Sequence, residues 1–186
     1  PRQHRLYDML AHGVQHLFVR AQMITPALYP IPTENPTLLA LMPRPRSGDW
    51  LEDELQGIRA AGVDVLVSLL ETAEEWELGL TEEERHFTAL GGQFVRYPIP
   101  DLGVPPDLGK FAEMARALKA KLDAGFGVGV HCRAGIGRSG MLACAILIEM
   151  GIAPLEAVSR VSKARGVRVP DTDDQEKILV SYRCTG

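Results

Sequence analysis

The chain has 186 residues, 46% of them hydrophobic and 24% charged, which suits one ordinary globular domain able to bury a core without disulfides or metal. A net charge of −4 argues against a duplex nucleic-acid partner, which calls for a strong basic excess. The longest apolar runs, such as "VLVSLL" and "LACAILI", fall far short of the roughly 20 residues that cross a bilayer, so no membrane span is expected.

Residues 1–36 read as an N-terminal arm. Within it "LYDMLAHGVQHLF" has helical spacing, whereas the four prolines of "TPALYPIPTENP" forbid a regular element. From "TLLALM" onward, residues 37–186 alternate short apolar strands with amphipathic helices, an α/β pattern in one domain. Strands are expected at Leu38–Met42, Val63–Leu70, Gln93–Ile99 and Phe126–His131, each too apolar for a half-exposed edge, hence in a buried sheet.

Between the strands, "DWLEDELQGIRAAG" sets Asp49 three residues before Glu52 as a capping box and ends at Gly62. "TEEERHFTALGG" repeats the device with Thr81 and Glu84. The seven glutamates from Glu71 to Glu84 read as a solvated face. A helix then ends at Gly125. "GMLACAILIEMG", apolar almost all round, is a buried helix ended by Gly151, Pro154 opens another, and "DTDDQEKILVSY" begins the last. The odd cysteine count, Cys132, Cys144 and Cys184, fits a reduced compartment better than a disulfide framework and points to the cytoplasm.

The stretch "VGVHCRAGIGRSGM" carries the chemistry. Its "GIGRSG" matches the G-x-G-x-x-G spacing of a dinucleotide turn, but the strand before it is about the fourth, and no later strand presents a ribose carboxylate. A Walker loop fails too, because Gly137-Arg138-Ser139 lacks its lysine. Read instead from Cys132, five residues lead to Arg138. That spacing lets Arg133, Ala134, Gly135, Ile136 and Gly137 curl into a nest of inward N–H groups that ends at a helix N-terminus and binds a phosphate-like dianion. Arg138 adds a planar fork, and a cysteine at the mouth of that nest ionises readily, which makes it a nucleophile. His131 either orders the loop or is a satisfied core histidine. Ser139 either donates to the cysteine sulfur or caps the helix.

"HCRAGIGRSG" closely resembles the His-Cys-x5-Arg-Ser/Thr-Gly signature of the cysteine-dependent protein tyrosine phosphatase superfamily, and Leu38 to about Val180 resembles its atypical dual-specificity catalytic domain. The resemblance implies a three-layer α/β/α sandwich around a mainly parallel sheet. It implies phosphomonoester hydrolysis through a phosphocysteine on phosphorylated proteins or small phosphate esters, with no metal and no cofactor. It also implies a general acid upstream, for which "YPIPDLGVPP" offers Asp101, 31 residues before Cys132; the same aspartate is good turn chemistry, and Asp107 is the next candidate. Gln175 corresponds to the glutamine that positions the hydrolytic water, although Thr172 and Gln175 also form a capping box by themselves.

The tryptophan-proline-aspartate loop of tyrosine-specific members is absent, so strict phosphotyrosine specificity is not implied. Arg44, Arg46 or the basic run from Arg160 to Arg168 would serve a phosphoinositide substrate if they reached the loop, and otherwise belong to the solvated surface. A non-catalytic phosphate-binding module is a competing reading, against which nothing that catalysis requires is missing from Cys132, Arg138 and Asp101; sulfur transfer or arsenate reduction, another, does not explain Asp101 with Arg138-Ser139-Gly140.

Overall fold

Buried parallel strands form the centre of the protein, whose computed structural model describes residues 25–182. In chain order come β1 (Tyr29–Pro30), β2 (Leu39–Met42), a 3-10 turn (Gly48–Trp50), α1 (Leu51–Ala60) and β3 (Val65–Ser68). Then follow α2 (Thr72–Glu77), α3 (Glu83–Ala89), β4 (Gln93–Arg96) and α4 (Leu108–Asp123). The chain continues through β5 (Val128–His131), α5 (Gly137–Glu149), α6 (Pro154–Arg165) and α7 (Asp173–Ser181). The sheet order is β1-β2-β5-β3-β4, parallel except for β1, which runs antiparallel to β2. The expected α/β sandwich with a mainly parallel sheet is present.

Alternation along the strands sends side chains to two cores. Leu39, Leu41, Val65, Val67, Val128 and Val130 face one layer, built with Phe111, Ala115, Leu118 and Leu122 of α4 and with α5. Met42 and Leu66 face the other, built with Leu51, Leu55 and Ile58 of α1 and Phe87 of α3. Each fully buried aliphatic or aromatic side chain contributes about 1.5–3 kcal/mol. Helix α5 is buried along nearly its whole length because α4, α6, α7 and the sheet all pack on it. The loop at its start is thereby anchored to a helix packed on all sides.

Four expectations are corrected. Tyr29 and Pro30, inside the stretch where prolines should forbid regular structure, form β1; a proline is tolerated on an edge strand, where its missing N–H faces no partner. Gln93–Arg96 is the opposite edge rather than a buried strand, with Gln93 and Arg96 exposed. Neither expected capping box forms at Asp49–Glu52 or Thr81–Glu84: α1 starts after Trp50 and α3 after Glu82, without side-chain caps. The fourth concerns the glutamates, because Glu74, Glu75 and Glu83 are buried, the first two against Arg138 and Arg96 and the third against the His131 ring. The box at Thr172 and Gln175 does form. The helical spacing in residues 6–18 and Cys184 lie outside the described residues.

Candidate active site

Parallel sheets present their ligands at the carboxyl ends of their strands, and the site is built there. β5 ends at His131, the chain turns through residues 132–136, and α5 begins at Gly137. The outward carbonyls of this turn are all held: Arg133 O accepts from Arg44 N at 3.3 Å, Ala134 O from Arg165 Nη2 at 3.1 Å, and Gly135 O from Arg165 Nε at 2.8 Å. A peptide whose carbonyl is pinned outward keeps its N–H pointing inward. Gly135 has φ 71°, and a Cβ there would lie 2.5 Å from Met42 O, so only glycine fits.

Cys132 Sγ sits inside the turn, 3.3 Å from Ser139 Oγ. Burial opposes ionisation of the thiol, but the Ser139 hydroxyl and the N–H groups of Ser139, Ile136 and Gly135 outweigh it, so it titrates below its ordinary value. Cys144, equally buried in α5 without such donors, is pushed up to about 12. The difference between the two thiols lies in the loop.

Arg138 is almost fully buried, and Glu74 binds its Nη1–Nη2 edge at 2.5 and 3.0 Å. Nη1 also donates to Ile99 O at 3.0 Å, and Nη2 to Asp101 Oδ1 at 2.8 Å. Burial works against the guanidinium charge, and Glu74, Cys132 and Asp101 more than restore it. Glu74 in turn is held below the usual carboxylate range: burial opposes this, and Arg138 and the Glu71 N–H prevail.

Asp101 and Leu102 reach the same place from the loop after β4. Together with Cys132, Arg133, Ala134, Gly137, Arg138, Asp171 and Gln175 they line a cleft of 140 Å³. Leu102 has φ 56°, a left-handed conformation that costs a non-glycine residue roughly 1–2 kcal/mol. Two bonds hold it: Gly103 N donates to Pro100 O at 2.8 Å, and Gln175 Nε2 donates to Gly103 O at 2.7 Å. The Gln175 oxygen accepts from the N–H groups of Asp171 and Thr172, at 3.2 and 3.4 Å. Gln175 thus lines the cleft and clasps its two side loops. Asp107 is elsewhere, capping α4 by accepting from Lys110 N at 3.0 Å.

Behind the loop, His131 is fully buried, with Nδ1 3.4 Å from Cys132 O and Nε2 3.1 Å from Glu83 Oε1. Glu74 and Glu83 escaped the sequence reading as solvated glutamates, and Arg165 entered it only within the basic run from Arg160 to Arg168, not as a support of the loop. For Glu74 a usable signal existed, since an acid a few positions beyond the end of a buried parallel strand falls on the ligand edge. Arg165 and Glu83 carry no local mark.

The family model for the polymorphic toxin system DSP-PTPase phosphatases (Tc-R-P) matches residues 40–152. A tyrosine-protein phosphatase of Autographa californica nuclear polyhedrosis virus is 33% identical over 98 residues, 51% of this chain and 58% of that protein. A probable protein tyrosine phosphatase type IVA A of Dictyostelium discoideum is 37% identical over 82 residues, 41% of this chain and 47% of its own. The chain thus spans about half the length of the curated relatives it matches. Among solved structures, a kinase associated phosphatase with its catalytic cysteine replaced by serine has a TM-score of 0.75 at 17% identity, covering 87% of this chain and 99% of that one. Tk-PTP in the active form has a TM-score of 0.67 at 26% identity, covering 85% and 97%. With the signature loop, the fold and the family model in agreement, this chain belongs to the DSP-PTPase phosphatase family of polymorphic toxin systems.

Proposed function

We propose that the chain hydrolyses phosphomonoesters through a phosphocysteine, acting on phosphotyrosine and on phosphoserine or phosphothreonine in proteins. The observation that carries the reading is the position of Cys132 Sγ within a ring of donors, the N–H groups of Gly135, Ile136 and Ser139 and the Ser139 hydroxyl, with Arg138 beside it. Those donors fit a thiolate and, beyond it, the equatorial oxygens of a phosphoryl group.

In the first step the Cys132 thiolate attacks phosphorus in line. The S–P bond forms as the P–O bond to the leaving group breaks, and Asp101 gives its proton to the departing oxygen. Glu74 holds the end of the guanidinium, so the side-on Nε–Nη2 edge of Arg138 is the fork for phosphate. In the second step water attacks the phosphocysteine, Asp101 takes its proton, and phosphate leaves with the thiolate restored. Ser139 supports the departing sulfur. Gln175 orients the water once its bond to Gly103 opens. The inward loop from Arg133 to Gly137 cradles the oxygens, and His131 orders it from behind. Neither metal nor cofactor enters any step.

A singly phosphorylated side chain suits the cleft better than a polyphosphorylated headgroup. Arg133, a second cation at the mouth, is paired with Glu77 at 2.7 Å, while Asp101 and Asp171 add negative charge. Arg44, Arg46, Arg160 and Arg168 are not among the lining residues, and Arg46 is engaged by Glu54 at 2.6 Å and Arg160 by Glu156 at 2.7 Å. The exposed Leu102 beside Asp101 offers an apolar rim to an aryl group. A cytoplasmic site of action fits the free thiols Cys132 and Cys144, and among the described residues no helix is long and apolar enough to cross a membrane.

The test is turnover, side by side, of phosphotyrosine, phosphoserine and phosphothreonine peptides, phosphoinositide vesicles and soluble inositol phosphates. Peptides are expected to dominate. Preference for the lipid or inositol arm overturns the substrate class, and tight peptide binding without turnover overturns the enzyme.

A further inference from the structure

Glu83, which the steps above leave unused, forms a buried pair with His131. His131 sits at the end of β5 on the face opposite the Cys132 core, and its in-register neighbours are Met42 of β2 and Ser68 of β3, both uncharged. Glu83, the first residue of α3, closes over it from the adjoining layer. Their side chains are 0% and 1% exposed, and Glu83 Oε1 lies 3.1 Å from His131 Nε2, off the line of an ideal hydrogen bond. The Glu83 carboxylate has no other hydrogen-bonding partner among the described residues.

A carboxylate with no donor inside a protein costs several kcal/mol unless a charge meets it. Two arrangements relieve that cost: a neutral acid beside a neutral imidazole, or a carboxylate beside an imidazolium. Imidazole is the stronger base by about two pH units in water, and the Cys132 thiolate on the far side adds its field in the same direction. In the imidazolium both ring nitrogens are donors, Nε2 within 3.1 Å of the Glu83 carboxylate and Nδ1 within 3.4 Å of the Cys132 carbonyl. We infer that Glu83 is a positioning residue for the nucleophile: it keeps His131 an imidazolium behind Cys132 and so helps to hold the Cys132 sulfur as a thiolate at neutral pH.

Direction supports this. Burial drives the His131 pKa down, and the Glu83 charge together with the Cys132 sulfur raises it past its ordinary value. No residue of β2 or β3 facing the ring carries charge, so Glu83 and Cys132 are the two titratable groups that act on it. His131 adjoins Cys132 in the chain and interacts with its sulfur, whereas Glu83 meets the other ring nitrogen, so a charge held on the ring favours the thiolate.

The inference rests on Cys132 being the nucleophile, and its test does not use turnover. Alkylation of Cys132 by iodoacetamide, followed across pH by mass spectrometry, reads the thiol midpoint directly. In Glu83→Gln, which keeps size and removes charge, the midpoint is expected to rise by about one unit, a roughly tenfold loss of thiolate below it. In the unaltered protein, long-range ¹H–¹⁵N spectra are expected to find His131 doubly protonated at pH 7, so the question is decided even if the variant does not fold. An unchanged midpoint in Glu83→Gln, or a neutral His131 at pH 7 in the unaltered protein, overturns the role of Glu83. If Cys132 of the unaltered protein alkylates no faster at mildly acidic pH than an ordinary thiol, the nucleophile reading itself fails, a distinct result.

Discussion

Asp101 and Arg138 share a hydrogen bond of 2.8 Å, so the proposed proton donor leans on the cation proposed to bind phosphate. A phosphate dianion and the Asp101 carboxylate therefore compete for Arg138 Nη2. In the proposed mechanism phosphate takes that position and Asp101 is released beside the leaving oxygen. Removing its charge is then expected to tighten the binding of vanadate several-fold in Asp101→Asn while slowing catalysis. The slowing should be modest for an aryl phosphate whose phenolate leaves readily and about 10² to 10⁴-fold for an alkyl ester. Single-turnover rates across esters graded by leaving-group basicity check this. Equal dependence in both proteins would leave Asp101 a turn residue.

The two described thiols should separate cleanly. With the Cys132 pKa lowered and Cys144 at about 12, iodoacetamide at mildly acidic pH is expected to label Cys132 and spare Cys144. Peroxide should inactivate the protein reversibly, because an accessible thiolate enters the oxidation ladder at sulfenic acid. Cys132→Ser should abolish turnover yet still bind vanadate, since the loop N–H groups remain. Residual turnover near the original rate in that variant contradicts the covalent route.

Glu74 and Arg138 are tied in stability as well as chemistry. Replacing Glu74 by Gln leaves most of a buried guanidinium charge without its partner and is expected to cost about 3 kcal/mol, at the low end for a broken buried pair because Asp101 compensates in part. The folded pKa of Glu74 lies below its ordinary 4.5, so its stabilisation is full above that value and disappears as pH falls through the folded pKa. Urea denaturation from pH 7 down to about 3 is expected to find the unaltered protein losing more stability than Glu74→Gln, whose curve is flatter. Parallel curves would mean that the pair adds nothing.

Arg165 holds the Cys132–Gly137 loop from outside through Ala134 O and Gly135 O, and its guanidinium lies 4.1 Å from the centre of the Tyr29 ring. Arg165→Ala frees those carbonyls to rotate, and with them the N–H groups facing Cys132. Vanadate affinity is expected to fall roughly tenfold, in keeping with the loss of two charge-assisted bonds partly replaced by water. Alkylation of Cys132 at mildly acidic pH should slow with it. Arg165→Lys should recover only part of both, because one ammonium cannot span two carbonyls. If affinity and alkylation are unchanged in Arg165→Ala, the loop needs no outer support.

Sequence by itself determined what depends on neighbours along the chain. The strand cores, the buried α5, the cap at Thr172 and Gln175, and the spacing from Cys132 to Arg138 are all local, since the backbone between a strand end and a helix start decides that a loop of such length curls its N–H groups inward. Charges were a different matter. Glu74, Glu75 and Glu83 carry the same signature as the solvated glutamates around them, and only the distant side chain each meets, Arg138, Arg96 or His131, distinguishes them. Those partners are 64, 21 and 48 positions away in the chain, as sheet order β2-β5-β3-β4 dictates. Likewise Asp107 and Asp101 both sit in proline-framed turns, and tertiary structure separated them, sending one to cap α4 and the other to Arg138. Pairings between distant charges are set by how elements pack, and no local pattern records them.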